Sequence, residues 1–229
     1  QYPRGIQEGN GVPADGDLWV SYSVNKEDMW ISRIPVPVEI NASAHADDDF
    51  SKNKSIAELT DWNIYSPVWA PVSLEDQWLK LQDKDPFDYA KVERKIPASK
   101  ELKVSFDLKA GQNNKGTLQI EFLDENGIAC SRMELTDDGI FRLKGGSRFA
   151  NMMKYEAGKV YHVEAVLSTV DRNIQVYVDG KRVGLRMFYA PVAAVERIVF
   201  RTGVPRTFPT VDTPADQTYD LPNAGAQDL

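Results

Sequence analysis

Cysteine is almost missing from this 229-residue chain. Cys130 stands alone, which excludes a disulfide within the chain. Histidine is nearly as scarce, and His45 and His162 lie far from Cys130 and from each other, so no familiar zinc spacing exists. No apolar run approaches the roughly 20 residues that a membrane-spanning helix needs. Positive charge is not in surplus either. With 27 Lys and Arg against 34 Asp and Glu, the net charge is −7, which argues against nucleic acid or an anionic membrane surface as partner. The chain has no nucleophile elbow for Ser/His/Asp chemistry and no glycine loop to cradle a phosphate.

What the chain does have is alternation. Leu18, Val20 and Tyr22 alternate with Trp19, Ser21 and Ser23, and Met29 and Ile31 alternate with Trp30 and Ser32. A period of two marks a pleated strand with distinct faces, so residues 1–40 read as a β-hairpin turning through the polar stretch Asn25 to Asp28. A lone hairpin is marginal in water and needs partner strands. The small, polar and acidic "NASAHADDDFSKNK" then opens a linker over 41–73, in which Pro67 and Pro71 exclude a long helix.

Residues 74–203 read as a run of short strands: "ELKVSFDLK", "TLQIEFL", "ACSRMEL", "GIFRL", "VYHVEAVLS", "NIQVYVDG" and "VERIVFRTG". The breaks "DENG", "DDG" and "DG" carry turn chemistry. Each sheet made from such strands has one apolar face to bury. The expected fold is therefore all-β, a two-sheet antiparallel sandwich. Residues 204–229 hold four prolines and no periodicity, and read as an extended tail.

The hairpin carrying Val176, Val178, Asp179, Gly180 and Val183 resembles the V-x-V-D-G-x-x-V hairpin of concanavalin-like, laminin-G-like jelly-roll domains. The opening "RGIQEGNGVPADGDLWVSYSVNKEDMWISRIPVPV" resembles the last blade of sialidase-like (BNR-repeat) β-propellers of Bacteroidota type. There Asp15, Gly16 and Trp19 echo the D-G-x-x-W end of the Asp-box, and its leading serine is missing. The resemblance implies a jelly roll preceded by a propeller remnant, in a carbohydrate-active protein that is secreted, periplasmic or at the cell surface. Its implied partners are a glycan or polysaccharide and an upstream propeller of the same protein. On this reading the chain is a C-terminal accessory sandwich that supports the propeller. A stand-alone carbohydrate-binding module, and a glycoside hydrolase or polysaccharide lyase in its own right, are the alternatives.

Three groups of residues are candidates for chemistry. Arg4, Gln7, Glu8 and Asn10 precede the first strand, where a propeller loop would border a ligand channel. Arg4 could hold an acidic sugar and Glu8 move a proton, although a solvated loop around Gly5, Gly9 and Gly11 accounts for the same residues. Trp62, Tyr65, Trp69 and Trp78 offer either sugar-stacking faces or packing that staples the linker down. Asp47, Asp48 and Asp49, with Asp212, Asp216 and Asp220, are the residues that could offer oxygens to calcium, the one cofactor suggested. No fixed ligand spacing supports them, and a solvated acidic linker fits equally. Glycosidases of the jelly-roll class often carry an E-x-D-x-x-E strand; here Glu121 and Glu134 stand singly on theirs. Catalysis inside the sandwich would require Glu121, Glu134 and Glu164 to meet in one cleft.

Overall fold

The structure, a computed structural model, describes residues 4–6, 18–24, 28–34, 46–84 and 88–203. It comprises two compact units, Gln1–Asn41 and Ala42–Leu229. In the first, β1 (Arg4–Ile6), β2 (Leu18–Val24) and β3 (Asp28–Ile34) form an antiparallel sheet in the order β1-β2-β3. The expected hairpin is β2–β3, in unbroken register from Leu18 opposite Ile34 to Val24 opposite Asp28. Asp28 therefore starts a strand rather than ending the turn. The third strand is new: three residues are too few to show alternation.

The second unit holds β4 (Trp62–Tyr65), β5 (Val72–Glu75), β6 (Trp78–Leu81), β7 (Lys91–Ser99), β8 (Glu101–Lys109), β9 (Leu118–Leu123) and β10 (Ala129–Leu135). It continues with β11 (Ile140–Gly145), β12 (Arg148–Lys154), β13 (Val160–Ser168), β14 (Asn173–Val178), β15 (Lys181–Met187) and β16 (Val195–Thr202). Seven strands make one sheet in the order β12-β11-β10-β9-β16-β7-β4, four make a second, β15-β14-β13-β8, and β5–β6 is a separate hairpin. All pairings are antiparallel. The described residues contain no α-helix, only a short 3-10 turn at Ile56–Glu58. The fold is the all-β antiparallel sandwich of the jelly-roll kind that the strand spacing leads one to expect.

Alternation decides which side chains enter the core. Ile120 and Phe122 of β9, Met133 of β10 and Leu143 of β11 meet Val163, Ala165 and Leu167 of β13 and Ile174 and Val176 of β14, all fully buried. Phe106 of β8 and Phe200 of β16 close part of the same layer edge-to-face, with ring centres 5.1 Å apart. Each large side chain buried here contributes about 1.5–3 kcal/mol relative to leaving it in water. The β14–β15 hairpin turns on Asp179 and Gly180, both left-handed at φ +51° and +76°, as a two-residue primed turn requires. The Asp179 carboxylate also accepts the His162 backbone N–H at 3.0 Å.

Several strands escape the pattern. Residues 62–65, inside the stretch read as linker, are β4 and pair with β7 at one end of the large sheet. Strand β7 buries Val92, Glu93 and Arg94 in succession, and its Pro97 disguises it further. Strands β12 and β15 have no clean alternation of buried and exposed residues.

Candidate functional site

The seven-stranded sheet has a second face, turned away from the four-stranded sheet, and it is built from the residues between the core positions. Register aligns Lys91, Arg201, Gln119, Glu134 and Arg142 in one cross-strand row over β7, β16, β9, β10 and β11. The next row runs Glu93, Val199, Glu121 and Arg132, and Lys144 stands opposite Phe149 on β11 and β12. Directly opposed residues of neighbouring strands lie within side-chain reach, so these rows are also contacts.

The carboxylates form the floor and the cations the upper layer. Glu121 and Glu134 are buried, whereas Arg132 and Arg142 are partly exposed. Arg132 donates from Nε to Glu121 at 2.7 Å, and Arg142 pairs with Glu134 through Nη2. Rings flank the cations. The Arg142 guanidinium lies 4.2 Å from the centre of the Phe149 ring, and Lys144 Nζ lies 4.6 Å from that of Tyr189. Tyr189, from the β15–β16 connection, is anchored by its N–H to the Cys130 carbonyl at 3.0 Å and packs on Leu123, Ala129 and Val199. Further along, Arg197 donates to Glu93 at 3.3 Å, Lys91 pairs with the same carboxylate at 2.8 Å, and Arg201 lies over Tyr89 at 3.9 Å.

Buried polar atoms on this face without a hydrogen-bond partner among the described residues include Gln119 Oε1, Arg142 Nε, Arg197 Nε and the Tyr189 hydroxyl. Such atoms are costly in a folded protein unless something else satisfies them. Burial, then the neighbouring Arg132, lowers the Lys144 pKa against the opposing pull of Glu121 and Glu134. Burial also raises that of Tyr189. The arrangement offers hydrogen-bond donors, acceptors and apolar ring faces side by side, the inventory that sugar recognition uses.

The residues singled out from the sequence are scattered. Arg4 lies on β1 opposite Ser21, while Gln7, Glu8 and Asn10 fall outside the described residues. Trp62 packs against a small core of Ala70, Val72, Ala90 and Val92, with its ring 5.8 Å from that of Phe50. Tyr65 donates to Asp88, Trp78 is partly buried on β6, and Trp69 is exposed. Of the calcium candidates, Asp48 accepts a 2.8 Å bond from Arg94, which also pairs with Asp61. Asp49 accepts from the Ser51 backbone and hydroxyl, which lowers its pKa. Asp47 is exposed, and Asp212, Asp216 and Asp220 lie outside the described residues. No group of three metal-binding side chains exists among the described residues. Glu121 and Glu134 share the outer face, but Glu164 belongs to the other sheet, where it pairs with Lys103 at 2.8 Å. The three acids therefore do not meet. Arg132, Arg142, Lys144, Phe149 and Tyr189 carried no signal in the sequence; alternation alone would have put the first three on a polar face.

Comparison with known proteins agrees with the resemblance. The family described as "Sialidase-like, CBM domain" matches residues 62–217. The chain belongs to this sialidase-like carbohydrate-binding-module family. A solved structure named "Sialidase" is 89% identical to it with a TM-score of 0.85, covering 100% of this chain and 21% of that one. The sialidase-like module thus spans about a fifth of the length of that relative. The apo Crh5 transglycosylase shares the fold at 12% identity and a TM-score of 0.55, over 70% of this chain and 69% of that one. The carbohydrate-binding module CBM66 from Bacillus subtilis is similar at 11% identity and a TM-score of 0.41, over 62% and 87%. No curated protein matches.

Proposed function

We propose that this module binds a glycan on the outer face of its seven-stranded sheet, around Arg132, Arg142, Lys144, Phe149 and Tyr189. It does so as the accessory sandwich of a larger carbohydrate-active protein that works outside the cytoplasm. The observation that carries this reading is the unsatisfied polar inventory beside two aromatic rings, on one face of a carbohydrate-binding-module fold. A sugar ring supplies hydroxyls for the first and a C–H face for the second. Catalysis by this unit finds no support, since Glu121 and Glu134 are each engaged by an arginine and Glu164 is elsewhere.

The three-stranded N-terminal sheet fits the same reading as a blade of an upstream propeller. It is an antiparallel meander in chain order, and Met29 and Ile31 on its outermost strand are exposed, as befits an apolar surface awaiting a neighbour. Exposed Trp69 is a candidate for a further sugar contact.

Affinity electrophoresis of the whole chain through gels containing polysaccharides tests the glycan reading. Retardation by at least one polysaccharide is expected, weakened by Phe149→Ala and by Tyr189→Ala and unchanged by Ile31→Ser on the N-terminal sheet. Free migration through every polysaccharide would sink it.

A further inference from the structure

The glycan held by this face is, we infer, an anionic one, whose carboxylate or sulfate group is taken by Arg142 and Lys144. The inference rests on the glycan-binding reading above and goes beyond it by fixing the charge of the ligand. The chain as a whole carries a net charge of −7. Along β9, β10 and β11 of the outer face the balance is reversed: Arg132, Arg142 and Lys144 stand beside Glu121 and Glu134.

The distribution of that surplus points to one end of the face. Glu121 engages Arg132, and Glu93 engages both Lys91 and Arg197. Glu134 takes a single guanidinium nitrogen of Arg142, whose Nε keeps a donor without an acceptor. Lys144 forms no ion pair among the described residues; two rings and Arg132 lie beside it, and the opposing pull comes from Glu121 and Glu134, each already engaged by an arginine. Arg132 together with burial destabilises the Lys144 charge in the unliganded protein, so an arriving anion relieves a repulsion as well as adding an attraction. Arg142 and Lys144 alternate on the same strand and share Phe149, at 4.2 and 5.8 Å from its ring centre. A planar guanidinium and an ammonium set two residues apart suit a bidentate or branched oxyanion. The ring between them suits the apolar face of the sugar that carries it.

The test is calorimetric titration of the whole chain with matched pairs of ligands. Sialyllactose against lactose isolates a carboxylate, and sulfated dextran oligosaccharides against plain dextran oligosaccharides isolate a sulfate. At least one charged member is expected to bind roughly tenfold or more tightly than its neutral partner, and to weaken as salt is raised. Lys144→Met should abolish the difference between the charged and neutral members of the pair. Arg142→Lys, which keeps a cation near Glu134, should narrow it, and circular dichroism confirms that both variants fold. Which pair shows the preference identifies the anion. Equal binding of charged and neutral members overturns the anionic ligand and leaves the glycan-binding reading standing. Binding by none of the four overturns the anionic assignment, while the electrophoretic test decides the glycan-binding reading by itself.

Discussion

The two faces of the seven-stranded sheet are made by the same strands from alternate residues, and they obey opposite rules. On β9, Ile120 and Phe122 look inward to a layer that excludes water, while Gln119 and Glu121 look outward and are nearly as buried. The inner face buries mostly apolar groups, which need no hydrogen-bond partner. The outer face buries polar groups, pairs most of them through Arg132 and Arg142, and leaves several unpaired. An apolar layer of this kind accounts for folding. A polar layer with partners missing does not, because burying a polar group without compensation costs stability. One face makes the sandwich, and the other carries the polar groups on which the proposed glycan binding rests.

Damage to the inner face should have the largest effect on stability. Phe122→Ala should cost about 3–5 kcal/mol, read from urea unfolding, because a fully buried ring leaves a cavity that the two sheets cannot collapse into. A loss no larger than that of a surface substitution would mean that the faces do not differ as described.

A second inner-face prediction concerns charge. Burial pushes the Cys130 thiol up to about 12 from an ordinary value of 9.0, and the Tyr155 hydroxyl up to about 12 from 10.0. In each case the folded protein holds the proton more tightly than the unfolded chain. Their stabilising effect is therefore complete below pH 9.0 and is lost as pH rises from there towards about 12. Unfolding midpoints followed across that range should fall, and fall less steeply for Cys130→Ala. Parallel curves for the two proteins would remove the thiol from the account.

On the outer face the effects are smaller. Glu121→Ala strands Arg132, which is only partly exposed, and should cost about 1–3 kcal/mol. Replacing both partners by apolar residues, as in Glu121→Leu with Arg132→Met, should recover part of that loss, as expected when the pair serves recognition rather than stability. A double variant as unstable as the sum of its singles would contradict this.

The smallest expected change is the most informative about function. Tyr189→Phe removes a hydroxyl with no partner among the described residues, so unfolding should shift by less than about 0.5 kcal/mol. Glycan affinity should nevertheless fall. A large stability loss with unchanged affinity would assign the hydroxyl to the fold instead of the ligand.

Much of the architecture was legible in the chain itself. The segments "ACSRMEL" and "VYHVEAVLS" are β10 and β13 residue for residue, and "ELKVSFDLK" is β8; β8 and β13 alternate in burial, whereas β10 is buried almost throughout. Strands β4, β7, β12 and β15 were hidden, since their burial follows neighbours and sheet ends more than a period of two. The Trp and Asp clusters contain Trp62 and Asp48, which pack and pair within the unit, whereas Arg142 and Phe149 belong to no cluster in the chain and meet only across strands.

By itself, the sequence determined that this protein is a β-sandwich, where most strands run, and which side chains of each strand share a face. Periodicity and turn chemistry are local properties, carried by neighbouring residues. Only the tertiary structure decided that β9 lies between β10 and β16, so that Glu121 meets Arg132, and that a tyrosine from the β15–β16 connection comes to rest beside Lys144. Those contacts depend on the order of strands far apart in the chain. Alternation fixes a strand's faces and leaves its neighbours open, so the site emerges only when the sheet is assembled.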